Sequence, residues 1–130
     1  MMHPVARRPR VLLAEDHSEL AKAVARVLAL DCDVVGNVPD GSAVLEAAQR
    51  LQPDVIVLDL HLPNVNGLEV CRQIRGVNLE AIIVVFTAMN DPEIRRRCSE
   101  VGASAFVSKM ASDGDGDLLS TVKRLCGDRG

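Results

Sequence analysis

The chain has 130 residues, a length that suits a single domain. Its hydrophobic fraction of 48% and charged fraction of 25% predict a packed core and exclude an intrinsically disordered chain. The net charge of −3 argues against a nucleic-acid-binding face, and the longest aliphatic run, residues 81–86, falls far short of the ~20 residues that a membrane helix needs.

The first half of the chain alternates short apolar runs with helical periodicity. Residues 11–14 predict a buried strand, and Ser18 is a candidate N-cap for a helix whose apolar residues recur up to residue 28. A second strand is expected around residues 34–38 and a third at residues 55–58. Between them, Asp40 can cap a helix with an apolar face up to residue 51.

The second half continues this alternation. Pro, Asn and Gly mark a loop, and an Asp-Pro-Glu run is a good helix start because it combines a cap, a proline and a first-turn acid. The expected elements are a loop at residues 62–67, a helix at 68–74, a strand at 82–86, a helix from Asp91 to Gly102, a strand at 105–108 and a helix at 118–125.

Five strand–helix units follow from this order. Strands that are apolar on both faces and joined by helices predict an α/β fold with a parallel sheet covered on both sides. The order of the strands in the sheet does not follow from this pattern.

The four cysteines (Cys32, Cys71, Cys98 and Cys126) lie far apart and form no C-x-x-C pair. This spacing disfavours a zinc site and a disulfide framework, so we expect buried or half-buried free thiols in a reducing cytosol. Residues 1–10 lack the apolar segment of a secretory signal, which agrees with a cytoplasmic location.

Basic residues concentrate in two clusters, one near the N-terminus (Arg7, Arg8 and Arg10) and one at residues 95–97. Short charged runs are usually solvated. We therefore interpret the first cluster as a solvated tail and the second as the solvated face of a helix, rather than as a nucleic-acid site.

Five polar residues fall at the ends of predicted strands. Glu15 and Asp16 follow the first strand, Asp59 follows the third, Thr87 ends the fourth and Lys109 follows the fifth. Ligands of open parallel sheets gather at the carboxyl ends of the strands. We expect these side chains to form one site there.

The electrostatics of such a site limit its chemistry. Two carboxylates ~4 Å apart repel each other by about 4 kcal/mol at an effective dielectric constant near 20. Either some of the acids are protonated or a cation lies among them. All-oxygen ligands favour Mg²⁺, with Mn²⁺ as an alternative, and a metal beside a Lys and a Thr hydroxyl suits a phosphoryl group.

The sequence resembles the receiver domain of two-component response regulators. The motifs that carry the resemblance are VLLAEDH at residues 11–17, PDVIVLDLHLP at 53–63 with Gly67, VVFTA at 84–88, and Gly102-Ala103 with FVSK at 106–109. Together they cover roughly residues 10–126, and the chain is similar to the receiver subgroup that is coupled to helix-turn-helix output domains. The resemblance implies a flavodoxin-like (βα)5 sandwich whose parallel sheet has the order 2-1-3-4-5.

The resemblance also implies roles for individual residues. Asp59 would be the phosphoacceptor, and Mg²⁺ would be bound by Asp16, Asp59 and the backbone carbonyl of His61, with Glu15 acting through a metal-bound water. Lys109 would pair with Asp59 and later with the phosphoryl group. Thr87 and Phe106 would be the switch residues, with the Thr87 hydroxyl bonding the phosphoryl group.

Further expectations concern boundaries and partners. Residues 1–9 would be a flexible tail, 10–126 the receiver domain and 127–130 a C-terminal tail. The partners would be a sensor histidine kinase or phosphotransfer protein and a downstream protein or an output domain that is absent from this chain. A phosphorylation-dependent homodimer is conceivable, whereas binding of nucleic acid or membrane by this chain is not expected.

Two local features depart from the common receiver pattern. Met110 follows Lys109 where many receivers have a cis proline, and we expect a trans bond there because a cis bond before a non-proline residue costs ~2.5–4 kcal/mol. The acidic, glycine-rich segment Ser112–Asp117 is expected to be a mobile solvated loop.

Three other functions compete with the signalling switch. A phosphohydrolase of the haloacid-dehalogenase type needs an acid two residues after its nucleophile, where this chain has His61. A flavin-binding protein needs a phosphate-friendly first loop, which Glu15 and Asp16 would oppose. A receiver retained only as a binding module would not need all five polar residues.

Overall fold

The computed structural model of the chain describes residues 8–77, 79–89, 91–109 and 114–127. In these ranges, strands and α-helices alternate. The elements are β1 (Arg10–Ala14), α1 (Ser18–Leu28), β2 (Asp33–Asn37), a 3₁₀ turn (Gly41–Ala43), α2 (Val44–Leu51), β3 (Val55–Leu58), α3 (Gly67–Gly76), β4 (Ile82–Thr87), α4 (Pro92–Glu100), β5 (Ala105–Ser108) and α5 (Gly114–Gly127).

All strand pairs in the sheet are parallel, and the strand order is β2-β1-β3-β4-β5. This confirms the predicted fold class and the order implied by the resemblance. Ala14 at the end of β1 lies beside Leu58 at the end of β3. The residues that follow these two strands therefore emerge side by side at one edge of the sheet.

The alternating side chains of the strands fill two apolar layers. Leu12, Ile56 and Val85 point to the layer covered by α2, α3 and α4. Leu13 and Val57 point to the opposite layer, which α1 and α5 cover. Burial on both faces explains why β1, β3 and β4 are nearly continuous apolar runs, and it holds the ends of these strands in fixed positions.

Helix starts were predicted with mixed success. Asp91 caps α4 as expected, and Asp40 caps the 3₁₀ turn that leads into α2. The assignment of Ser18 as the cap of α1 was wrong, because Ser18 is the first helical residue. His17 is the cap, and its Nδ1 accepts a hydrogen bond from the amide of Leu20 at 3.2 Å.

The interpretation as a solvated tail was wrong for Arg10, which begins β1 and is half-buried, whereas Arg8 is exposed as predicted. The Arg8 guanidinium donates to the carbonyl of Cys32 at 3.0 Å, and that of Arg10 donates to the carbonyl of Leu51 at 2.6 Å. Both side chains therefore satisfy backbone acceptors next to the sheet, while Arg7 lies outside the described residues. The arginines at residues 95–97 are exposed on α4, as predicted.

The expected loop at Ser112–Asp117 is only partly described. Residues 112 and 113 lie outside the described residues, as does Met110, so the trans bond before Met110 stays a prediction. From Gly114 onward the segment belongs to α5, which contradicts the loop prediction there. Acidic residues are favourable near a helix N-terminus, so this composition is compatible with a first turn.

The cysteines behave as predicted. Cys32, Cys71 and Cys98 are buried, Cys126 is half-buried, and none of the four forms a disulfide. Burial raises the pKa of Cys32 to about 11 and that of Cys71 to about 12. None of the helices in the described ranges combines the length and apolar character that a bilayer crossing needs.

Candidate functional site

Three acids converge at the carboxyl edge of the sheet. Glu15 and Asp59 follow β1 and β3 and are only 2% and 5% exposed, whereas Asp16 is exposed. One carboxylate oxygen from each of the three lies within 4.8 Å of the others. The structure therefore brings the sequence-predicted acids into one cluster with an open side.

The backbone fixes this convergence. The amide of Asp59 donates to the carbonyl of Ala14 at 3.0 Å, which continues the ladder between β1 and β3 past the strand ends. The amide of Glu15 donates to the carbonyl of Val38 at 3.2 Å, and the Asn37 side chain donates to the carbonyl of Glu15 at 3.2 Å. The acids cannot move apart without loss of these bonds.

Lys109 supplies the positive charge of the site. Its amide donates to the carbonyl of Thr87 at 2.8 Å, which anchors it beside β4. Its Nζ lies 2.6 Å from Glu15 Oε1 and 3.1 Å from Asp59 Oδ2. Burial alone would lower the pKa of Lys109, but hydrogen bonds and charge from Glu15 and Asp59 outweigh burial and raise this pKa above its ordinary value of 10.5.

Backbone amides hold the other oxygens of the two buried acids. The amide of His17 donates to Glu15 Oε2 at 3.0 Å, and the amide of His61 donates to Asp59 Oδ1 at 3.2 Å. Across the described residues, no buried side-chain nitrogen or oxygen lacks a hydrogen-bond partner. Both carboxylates are thus oriented before any ligand arrives.

The two predicted switch residues lie near this cluster but make different contacts. Thr87 is fully buried at the end of β4, and its Oγ1 lies 3.5 Å from the amide of Met89. Phe106 is half-buried on β5, and the Arg95 guanidinium lies over its ring at 4.8 Å from the centroid. The His61 side chain is exposed beside the cluster.

Sequence reasoning missed two of these contacts. It paired Lys109 with Asp59, but the shorter bond of Lys109 is the one to Glu15. It also treated Arg95 as part of a solvated face without its contact to Phe106. No sequence motif predicts either contact, because both depend on how far a long side chain extends towards a neighbouring strand or helix.

The donor set of this site fits a small divalent cation. Three carboxylates and one ammonium leave an excess of negative charge, and all the candidate ligand atoms are oxygens, which Mg²⁺ and Mn²⁺ prefer. The fold and the site together define a doubly wound α/β protein with an acidic pocket at the carboxyl edge of its sheet.

Comparisons with known proteins narrow this class. Residues 11–123 match the family model described as "Response regulator receiver domain". The chain is 32% identical over 111 residues to the Mycobacterium tuberculosis protein named "Probable transcriptional regulatory protein NarL", covering 84% of this chain and 51% of that protein. It is 26% identical over 113 residues to the DNA-binding transcriptional activator EvgA of Escherichia coli, covering 86% and 54%.

A solved structure gives the same result. The crystal structure of a two-component response regulator of the LuxR family from Aurantimonas sp. superposes with a TM-score of 0.86 at 25% identity, covering 92% of this chain and 86% of that chain. The chain therefore belongs to the family of response regulator receiver domains. It spans about half the length of the curated relatives named above.

Replacement of Lys109 tests the charge balance of the pocket. In Lys109→Met, Glu15 and Asp59 lose their ammonium partner while they remain buried. We expect the free energy of unfolding at neutral pH and without divalent metal to fall by about 3–5 kcal/mol, because an unpaired buried charge is costly. Urea unfolding followed by circular dichroism measures this change.

The matched control is Lys123→Met, which removes an exposed ion pair between Lys123 and Asp31 (3.2 Å). Exposed pairs contribute little, so we expect a loss below about 0.5 kcal/mol. Equal losses in the two variants would contradict the proposed balance.

Proposed function

We propose that this receiver domain accepts a phosphoryl group on Asp59 from a histidine kinase or a phosphotransfer protein in a Mg²⁺-dependent reaction. The observation that carries the proposal is the position of Asp59. Its buried carboxylate is oriented by the amide of His61 and by Lys109, and it lies within a cluster of acids that needs a further cation.

In the proposed reaction, an oxygen of the Asp59 carboxylate attacks the phosphorus of a phosphohistidine. The new bond is the P–O bond of an aspartyl phosphate, and the P–N bond breaks with its electron pair going to the imidazole of the donor. Lys109 can then hold a phosphoryl oxygen in place of a carboxylate oxygen, because its Nζ already lies 3.1 Å from Asp59 Oδ2. The Thr87 hydroxyl would hold another phosphoryl oxygen.

Asp16, Asp59 and the carbonyl of His61 would hold the metal directly, and Glu15 would act through a bound water. A bound Mg²⁺ neutralises the charge of the transferring phosphoryl group. Asp16 suits this role because it is exposed, so a hydrated cation can reach it from solvent. The indirect role of Glu15 is taken from the resemblance to receiver domains, and the two oxygens of Glu15 accept hydrogen bonds from Lys109 and from the amide of His17.

A covalent dianion on Asp59 can shift a conformational equilibrium because it makes contacts that exist only in the phosphorylated state. We propose that Thr87 and Phe106 carry this shift towards a partner. The domain would comprise residues 10–126, with tails on both sides, and would act in the cytoplasm. Relatives of this chain are transcriptional regulators, so the signal would pass to a DNA-binding output or a downstream protein.

Labelling with a small phosphodonor tests the proposal. We expect incubation with acetyl phosphate and Mg²⁺ to add the mass of one phosphoryl group to the chain, because the site itself supplies the chemistry. Intact-protein mass spectrometry measures the product. We expect no labelling in Asp59→Asn or after chelation of the metal.

The control is Asp33→Asn, which changes an exposed aspartate on β2 at the opposite end of the sheet. This variant should be labelled like the wild type. Labelling that persists in Asp59→Asn would contradict the assignment of Asp59. A complete absence of labelling in the wild type would favour a receiver that only binds partners.

We propose that the His61 side chain lies beside the phosphoryl group and shields it from water. The His61 amide donates to the Asp59 carboxylate, and the His61 side chain is exposed, so this residue adjoins the predicted phosphorylation site. In His61→Ala we expect a shorter aspartyl-phosphate lifetime, measured as the decay of the phosphorylated mass after removal of the donor. Glu69→Ala, at the exposed first turn of α3, is the control, and equal lifetimes in wild type and His61→Ala would refute the role of His61.

A further inference from the structure

The loop between β3 and α3, residues 59–66, is held at its far end by contacts that the proposed function does not use. Leu60 and Leu62 are buried (6% and 7% exposed), and His61 lies between them with its side chain in solvent. Asn66 then caps α3 through a bond from the amide of Glu69. The position of the His61 carbonyl therefore depends on how this short loop is pinned.

The loop contains a tight turn with an unusual backbone. The amide of Val65 donates to the carbonyl of Pro63 at 2.8 Å, which closes a three-residue turn around Asn64. Asn64 has a φ of +70°, in the left-handed region that residues other than Gly seldom occupy. Such a conformation persists where the surroundings enforce it.

The segment after β2 holds Asn64 in this conformation. Asn64 Nδ2 donates to Asp40 Oδ2 at 2.6 Å, and the amide of Gly41 donates to the carbonyl of Pro63 at 3.1 Å. The approach is so close that a Cβ on Gly41 would lie 1.7 Å from the carbonyl oxygen of Val65. Two backbone segments thus meet here without room for a side chain.

Asp40 is itself held rigidly. Its Oδ1 accepts hydrogen bonds from the amide and the hydroxyl of Ser42, both at 2.8 Å. Its other oxygen is left for Asn64, so the carboxylate joins the 3₁₀ turn to the 59–66 loop. His61 is only two residues from Pro63, and the amide of His61 donates to Asp59 Oδ1. A displacement of Asn64 would therefore also displace His61 and its contact with the acidic cluster.

We propose that Asp40 and Asn64 are positioning residues for the divalent cation, and that their hydrogen bond fixes the 59–66 loop so that the His61 carbonyl faces the three carboxylates. This inference rests on the proposed Mg²⁺ site. Neither residue touches the metal. They act through the loop, in the way that outer partners of metal ligands set affinity.

A reciprocal exchange of the two side chains tests the role of this bond. In Asn64→Asp two carboxylates face each other and neither can donate, so the bond is lost. In Asp40→Asn two amides face each other, and the charge-assisted bond is replaced by a weaker neutral bond that requires the Asn64 amide to turn over. In the double variant D40N/N64D, the amide at position 40 can donate to the carboxylate at position 64. The double variant has the same net charge as the wild type, so long-range attraction for a cation is unchanged.

The measurement is the Mg²⁺ dissociation constant of the metal-free chain, by isothermal titration calorimetry, at a temperature where circular dichroism shows every variant folded. We expect Asn64→Asp to weaken Mg²⁺ binding by about tenfold, the lower end of the effect of outer partners of metal ligands, and Asp40→Asn to weaken it less. The double variant should return close to the wild-type value. Asn64→Asp is the sharper single change, because its added negative charge would by itself strengthen cation binding.

A second measurement follows the loop without any metal. Hydrogen exchange of the His61 amide should be faster in both single variants and slow again in the double variant. Asp91→Asn is the matched control, because Asp91 caps α4 through the amide of Glu93 in the same way that Asp40 caps its turn. It should leave both readouts unchanged.

The outcomes separate this inference from the proposed function. If the wild type binds Mg²⁺ and is labelled at Asp59, but the single variants bind Mg²⁺ as tightly as the wild type, the positioning role is refuted and the proposed function stands. A double variant that stays as weak as the single variants also refutes the role of the bond. If the wild type binds no Mg²⁺, both proposals are overturned.

Discussion

Repulsion among carboxylates at the ends of β1 and β3 is the constraint on which the site depends. Glu15 and Asp59 are buried next to each other because two adjacent parallel strands end in register there. Carboxylates ~4 Å apart repel by about 4 kcal/mol at an effective dielectric constant near 20, so the pocket needs positive charge. Lys109 supplies part of it by bonding both acids, and a divalent cation beside Asp16 would supply the rest.

The sheet and the loops at its carboxyl edge have different roles. The two apolar layers fix where each strand ends, and the loops that follow carry the polar chemistry, as is common in doubly wound proteins. The loops are themselves tied to one another. The Asp40 carboxylate accepts a hydrogen bond from Asn64, which ties the loop after β2 to the loop after β3. At the opposite, amino edge of the sheet, Arg75 in α3 donates to the carbonyls of Ala81 and Gly102.

Much of the fold and of the cluster could be predicted from the sequence because β1, β3 and β4 are nearly uninterrupted apolar runs with a polar residue at or just after their carboxyl ends. The bounds predicted for β3 and β5 are those of the structure. The helix cap at His17 was missed because Ser is a common cap, whereas His caps only when its ring nitrogen faces the right amide. The Lys109–Glu15 and Asp40–Asn64 bonds join residues far apart in sequence, and only the folded chain brings them together.

The most direct test of a cation site at the ends of β1 and β3 is to locate a paramagnetic divalent cation on the folded chain. Mn²⁺ added to the isotopically labelled protein broadens the NMR signals of amides close to it. We expect broadening to start at Glu15, Asp16 and Asp59–His61, and excess Mg²⁺ to reverse it. Broadening that is uniform, or centred on the exposed acids Glu93 and Glu100 of α4, would contradict a cation site at the ends of β1 and β3.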